Sequence, residues 1–523
     1  MNEKNLFLTI DNGGTSTKVV IHDLMGKQLA VSSFPTKRIE EQPGFREIDL
    51  HNLWESIQQA IVMSLKQGDF NPNRVKAISV VGHGKGLYVL NHQGKIFMNG
   101  ILSTDERAEE LTKEFNQKID RLWPLTNQKI VSVQAPILLN WLKHNQKEKY
   151  KEIGYILSAK DFIRAQLTGT ITQELGDASG NNLINVTTKD YDSRIMEFFG
   201  IDDIQSSLPP LIEATNYKSK TTAEIFEKTG IPIGTPVMGG LFDIQACTLA
   251  TGIIESNGFS MIAGTWSINV YPDQKNMTFT DDLMTSLLPS FFGKNKYLIE
   301  ASSATSAGNL DIMLSMLLAD EKQRAIENNK SIYEDLEILL ETTHPDFTTM
   351  YYLPFLYGSN GGEGGRASFI GLTSRSSKSE MIKSVYEGIA FGHKQHIEQL
   401  INMKKIQPDV IRISGGATNS SQWVQLFTDI IGIPIETVEG TELGALGGMM
   451  LADYALGEAE ISDVIKRCVK MKKRYEPRIN FQKAYQKKYE IYQKIVQSLK
   501  NVWVDLNEIN KEMENDCGRN RNL

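Results

Sequence analysis

The chain has 523 residues, 41% of them hydrophobic and 23% charged, a length beyond one hydrophobic core that points to two domains of a globular protein. A net charge of −7 argues against a general nucleic-acid binder, whose affinity rests on excess Lys and Arg. The three cysteines, Cys247, Cys468 and Cys517, are scattered, so they form neither a metal-ligand spacing nor a disulfide framework and suit a reducing, cytoplasmic setting.

The first element is an apolar run, Leu6–Ile10, followed by Asp11-Asn12-Gly13-Gly14-Thr15-Ser16-Thr17-Lys18 and then Val19–Ile21. Two apolar segments around such a turn predict a β-hairpin. Its glycines let consecutive backbone N–H groups form an anion-binding nest. Thr15, Ser16 and Thr17 add hydroxyl donors, Lys18 adds a cation, and Asp11 offers a carboxylate able to hold Mg²⁺, usually through water. The same residues also make an ordinary Asn/Asp-Gly hairpin turn, so the phosphate reading depends on the rest of the chain.

Strand-like and helix-like segments then alternate, which indicates an α/β architecture. Helices are expected at Leu50–Lys66, Asp105–Gln117 and Met381–Asn402, and strands at Lys76–Val81, Gly86–Leu90 and Val237–Gly239. Gly82-His83-Gly84-Lys85-Gly86-Leu87 contains Gly-Lys but is not a P-loop, because Ser79 fills the first glycine position and Gly86 follows the lysine. A His and a Lys in that turn suit hydrogen bonds to a polyol, and an exposed Lys-Gly turn fits as well. In Gly239-Gly240-Leu241-Phe242-Asp243, Asp243 falls where strand meets helix. There it can serve as a base facing a cleft or as an N-cap, and position alone leaves both open.

A second hairpin spans Phe259–Val270 around Gly264-Thr265-Trp266-Ser267, echoing the first turn and suggesting two similarly built domains. A third glycine turn, Ser414-Gly415-Gly416-Ala417-Thr418-Asn419, follows an apolar strand and precedes a helix from Gln422. Glycine there allows close approach of a ring or phosphate, and a plain strand-to-helix turn needs it too. The Lys/Arg-rich end from about Val464 reads as an amphipathic helix with a solvated face and a polar, irregular end from Glu514. No stretch approaches a membrane span, and the first apolar run is too short for a signal peptide, so no membrane partner is expected.

Taken together, these motifs resemble the FGGY family of sugar kinases, within the actin-like ATPase superfamily, from Leu6 to about Gly457. The most specific match is Ala367-Ser368-Phe369-Ile370-Gly371-Leu372, then Glu380-Met381 and Ser384-Val385-Tyr386-Glu387, the family's second signature. The segment from Glu442 through Leu446 to Met450 is similar to the family's E-x-x-A-L-G-A helix. The resemblance implies two actin-like (ribonuclease H-like) domains with an ATP cleft between them. Their expected extents are 1–250, carrying the sugar and catalytic base, and 251–457, carrying the nucleotide, with a helical, basic tail over 458–523.

The resemblance further implies Asp243 as general base and Gly13, Gly14, Thr15, Ser16, Thr17 and Lys18 around the ATP phosphates, with Mg²⁺ near Asp11. Gly264, Thr265, Gly308, Gly415, Gly416, Ala417 and Ser420 are implied around the nucleotide. His83, Lys85, Asp105 and Glu174, with Asp243, are the expected sugar contacts; Asp105 can instead brace the site through Arg107. Members are often dimers, so a homodimer is an expectation. Gly82–Leu87 and Ile101–Arg107 are similar to the L-xylulose kinase branch, whereas Leu138 departs from a lysine of the first family signature. The expected reaction moves the γ-phosphate of ATP to a terminal hydroxyl of a ketopentose, L-xylulose first. The alternatives are another ketose or polyol (D-xylulose, ribulose, erythritol), or a partner-driven actin-like ATPase.

Overall fold

Leu6–Asn12 is buried along almost its whole length, the pattern of a strand covered on both faces. In the computed structural model, which describes residues 5–255, 257–274, 283–358, 364–457 and 459–520, it forms β1. It pairs antiparallel with β2 (Ser16–Asp23), which pairs antiparallel with β3 (Gln28–Pro35). Asp49 then caps α1 (Leu50–Gln67), its side chain accepting from the His51 and Asn52 N–H groups. The apolar face of α1, built on Leu53, Ile57 and Ile61, is buried, and Ser64 Oγ donates to the Val19 carbonyl of β2 at 2.9 Å.

β4 (Val75–Gly82) lies parallel to β1 on its other side. After α2 (Ala159–Thr168) and the short α3 (Leu175–Gly180), the chain returns as β5 (Leu241–Phe242), parallel to β4, and enters α4 (Asp243–Ala250). The sheet order is β5-β4-β1-β2-β3. The expected strand at Val237–Gly239 makes only an isolated bridge from Val237 to Ile78. Gly240 has φ +91°, which breaks the strand before Leu241. The helix expected from Asp105 begins at Glu109, because Asp105 and Arg107 are held in the preceding turn.

The next part of the chain builds the same arrangement again. β6 (Gly258–Ala263) and β7 (Ser267–Asp273) form the second hairpin. They are followed by α5 (Ala307–Leu317), α6 (Ile332–Thr342) and α7 (Lys378–Lys404), whose N-terminus carries a Ser377/Glu380 capping box. β8 (Val410–Ser414) lies parallel to β6, and β9 (Ile435–Val438), reached through α8 (Ser421–Ile431), lies parallel to β8. A hairpin flanked by two parallel strands therefore occurs twice, as the two echoing turns suggested.

The chain then returns to its first half as α9 (Leu443–Ala455), which packs on β1, β4 and α4. Two compact units result: Met1–Glu255 with Pro272–Ile299 and Glu439–Lys470, and Ser256–Tyr271 with Glu300–Val438 and Met471–Leu523. The basic tail is not helical throughout. β10 (Met471–Tyr475) pairs antiparallel with β9, exposing four of its five residues, as charged edge strands do. α10 (Ile479–Asn520) continues through the stretch expected to be irregular. It buries Tyr485, Tyr489, Tyr492 and Trp503, the last edge-on to Phe355 at 5.6 Å.

Candidate active site

In the first unit, the ends of three parallel strands are level. Asn12 of β1 and Phe242 of β5 both stand opposite Gly82 of β4, so the turns after these strands emerge in a row. In such sheets ligands bind outside the carboxyl ends of the strands. The row holds the Gly13-Gly14 turn, the His83–Gly86 turn and Asp243. The first two are tied directly, since the His83 N–H donates to the Asn12 carbonyl at 2.9 Å. Gly84 leaves room for the Phe242 ring, which would lie 2.1 Å from an added methyl. Lys85 and Gly86 are consecutive left-handed residues, φ +65° and +77°, a strained conformation for the lysine of the kind that clusters at ligand sites.

Within the hairpin, Thr17 Oγ1 donates to Asn12 Oδ1 at 2.7 Å, while Thr15 is exposed. Lys18 pairs with Glu442 at the start of α9, 2.6 Å away. Asp11 is packed so closely against α9 that a methyl on Gly444 would meet its Oδ2 at 2.6 Å. Gly448 leaves similar room for Thr9 and Gly447 for the Ala246 carbonyl of α4. Burial raises the Asp11 carboxyl to about 6 against the pull of Lys18. Asp243 is raised further, to about 8, by burial first and then by the charge of Asp11. The Ile244 N–H donates to its Oδ1 at 2.7 Å and partly offsets this.

His83 is buried and neutral, its pKa lowered by burial to about 4. Its Nδ1 lies 3.3 Å from the Gly84 carbonyl and its Nε2 2.8 Å from the Tyr88 hydroxyl. With Nδ1 as the donor to that carbonyl, Nε2 accepts from the tyrosine. Asp105 is fully engaged: it accepts from the Arg46 and Arg107 backbone N–H groups and from the Arg107 guanidinium. That guanidinium is stacked by Phe45 and Trp141, which is the geometry of a brace. Both oxygens of Glu174 cap α3, accepting from the Gly176 and Asp177 N–H groups at 2.7 and 2.9 Å.

In the second unit, Ile262 of β6 stands opposite Ser414 of β8, which brings the Gly264-Thr265 and Gly415-Gly416-Ala417 turns side by side. Gly415 has φ +94°, and a methyl there would lie 2.7 Å from the Ala263 carbonyl. The Ala307 N–H donates to the Gly264 carbonyl at 2.8 Å, and Gly308 abuts Thr265. Among the described residues nothing lies within 4 Å of a methyl built on Gly264 or Gly416. Ser420 is the N-cap of α8, accepting from the Trp423 N–H at 3.0 Å while donating to Glu337.

Each unit thus presents a hydroxyl-bearing hairpin turn beside a glycine turn at level strand ends, and the sequence comparisons agree with that design. Residues 6–250 match the N-terminal domain and residues 259–456 the C-terminal domain of the FGGY family of carbohydrate kinases. The chain belongs to this family. It is 31% identical to a probable L-xylulose kinase of Pasteurella multocida, over 95% of this chain and 99% of that protein. It is 28% identical to the L-xylulose/3-keto-L-gulonate kinase of Escherichia coli, over 94% and 97%. The structure of a ligand-bound xylulose kinase from Lactobacillus acidophilus superposes with a TM-score of 0.85 at 23% identity, covering 96% of this chain and 99% of that one. The protein is therefore a two-domain carbohydrate kinase, a phosphotransferase that uses ATP and a small-molecule sugar. Among the described residues no helix is long and apolar enough to cross a membrane.

Two neighbours of these turns carried no readable sign in the sequence. Tyr88 and the buried Lys160 look like ordinary strand and helix residues, and packing brings them to the strand ends.

Proposed function

We propose that this FGGY kinase phosphorylates a terminal hydroxyl of a ketopentose, L-xylulose first, with Asp243 as general base. The observation that carries the reading is the level row of strand ends bearing the Asp11–Lys18 hairpin, the His83/Lys85 turn and Asp243. The names of the two relatives support the choice of sugar.

In this reading the hairpin N–H groups, Thr15, Ser16 and Lys18 hold the β- and γ-phosphates of ATP. Gly264, Thr265, Gly415, Gly416 and Ala417 receive the nucleotide. Asp243 accepts the proton of the attacking hydroxyl. A sugar hydroxyl is a very weak acid, so that proton moves late and the carboxylate first orients the oxygen. The remainder of catalysis is positioning and charge neutralisation. Asp11 is a half-buried carboxylate beside the hairpin, a donor suited to Mg²⁺, which takes one or two carboxylates together with phosphate oxygens and water; bound there, the ion would neutralise phosphate charge. His83 and Lys85 meet the sugar, while Asp105 and Glu174 act through Arg107 and α3.

The test is ADP release with Mg-ATP against L-xylulose, D-xylulose, L- and D-ribulose, erythritol and glycerol, for wild type and Asp243→Asn. The expected result is strongest stimulation by L-xylulose and loss of about 10²–10⁴-fold in the variant. Preference for another acceptor discards the sugar, and near-wild-type turnover of Asp243→Asn discards the base.

A further inference from the structure

Behind the strand ends lies a buried charge cluster of which the mechanism above uses only Glu174. Lys160, on α2, is fully buried. Its Nζ lies 2.9 Å from Asp161, 3.4 Å from Glu174 and 3.5 Å from Asp177. Arg164 pairs with Asp161 at 2.9 Å, and Asp161 also accepts from the Glu174 N–H. Two cations thus face three carboxylates. Glu174 spends both oxygens on the cap of α3, whereas Asp177 Oδ2 is buried and faces Lys160 Nζ.

The stem of the same lysine reaches the strand ends. A methyl placed on Gly82 would meet Lys160 Cβ at 3.0 Å and its backbone N at 3.1 Å. One placed on the left-handed Gly240 would meet Lys160 Cδ at 3.5 Å. Gly82 immediately precedes His83, and Gly240 stands three residues before Asp243. One side chain therefore touches the backbone leading to both, and its head is fixed by carboxylates of α2 and α3. An isolated buried lysine would be costly, and a hydrophobic residue of similar length would pack more cheaply.

We propose that Lys160 is a positioning residue for phosphoryl transfer: its anchored stem sets the spacing between the acceptor-side turn at His83 and the base Asp243, with Asp177 as its charge partner. This rests on the role given to Asp243 above. Burial raises the Asp177 carboxyl to about 7 even beside Lys160, in keeping with its surplus negative charge. The pair offers the substrate nothing directly and acts through the two turns.

The experiment compares full-length wild type, Lys160→Met, Lys160→Met/Asp177→Asn and Asp243→Asn by steady-state ADP release with the best acceptor, with thermal melts alongside. Met keeps the stem and removes the positive charge, leaving Arg164 alone against the carboxylates; the added Asp177→Asn removes one of those carboxyls. A misplacement of about 1 Å at a reacting group costs about 100-fold. Lys160→Met should lose about that much in kcat with the KM for ATP within about threefold, and the double variant should recover about tenfold or more. Folded Lys160→Met with wild-type kcat overturns the proposal, as does a double variant no better than the single. Where Lys160→Met does not fold, Lys160→Arg decides: its broader head cannot reproduce the three contacts without moving the stem, so an unchanged kcat overturns the proposal. If Asp243→Asn retains turnover, the base assignment fails and the positioning of it falls with it. If Asp243→Asn is inactive and Lys160→Met is not impaired, only the positioning fails.

Discussion

Asp243→Asn should stabilise the folded protein while disabling it. The carboxyl is raised from 3.8 to about 8, by burial and by the charge of Asp11. Below pH 4 it is protonated whether the chain is folded or not, and the carboxylate costs nothing. Between pH 4 and 8 the unfolded chain releases the proton while the folded chain retains it, so the penalty on folding grows with pH. Above about 8 both states are ionised and the penalty is constant. Four units at about 1.4 kcal/mol each give about 5–6 kcal/mol as an upper figure. The side chain is half-buried and Asp11 and Asp177 adjust their own ionisation, which leaves roughly 2–4 kcal/mol at pH 9. Asparagine has the same shape and no charge to bury. Melts of both proteins at pH 5 and pH 9 should therefore diverge, the variant gaining several degrees at the higher pH. A melting difference independent of pH would refute the reasoning, because a hydrogen bond alone carries no such dependence.

Gly444→Ala places a methyl 2.6 Å from Asp11 Oδ2; forcing α9 away from β1 should cost about 1–3 kcal/mol and raise the KM for ATP, measured by melts and steady-state kinetics. Tyr88→Phe removes the hydroxyl 2.8 Å from His83 Nε2, leaving a buried ring nitrogen unpaired at a cost of about 1–3 kcal/mol. Its KM for the sugar should rise more than its KM for ATP, and equal changes in both would count against a sugar-side role for His83.

What could be read from the sequence was local. Glycine turns between apolar strands announce themselves because the backbone geometry they encode lies within a few residues, so both hairpins and the Gly415 turn stand where expected. The place of Asp243 at a strand-to-helix junction was legible for the same reason, from a glycine pair and two apolar residues before it. The partners of those groups were not. Glu174 reads as a sugar contact, whereas both its oxygens cap α3; the Arg107 brace of Asp105 was one of the two readings open to it, but its second partner, the Arg46 N–H, comes from a distant part of the chain. Lys160 reads as a helix-surface lysine because nothing within α2 shows that it is covered. β10 was missed because its sequence, Met471-Lys472-Lys473-Arg474-Tyr475, lacks apolar alternation; its strand form is dictated by the free edge of β9.

The position of α9 in the chain has a consequence in time. The helix that covers Thr9, Ser79 and Val81 is encoded about 140 residues after the rest of the first unit, with the greater part of the second unit's chain in between. At about 5–20 residues per second of synthesis, the newborn sheet waits about 7–28 s for its own cover. During that interval a β-branched face and the carboxylate of Asp11 are open to water and to other chains. Slower synthesis of the stretch between Ile299 and Glu439 should therefore lengthen that exposure.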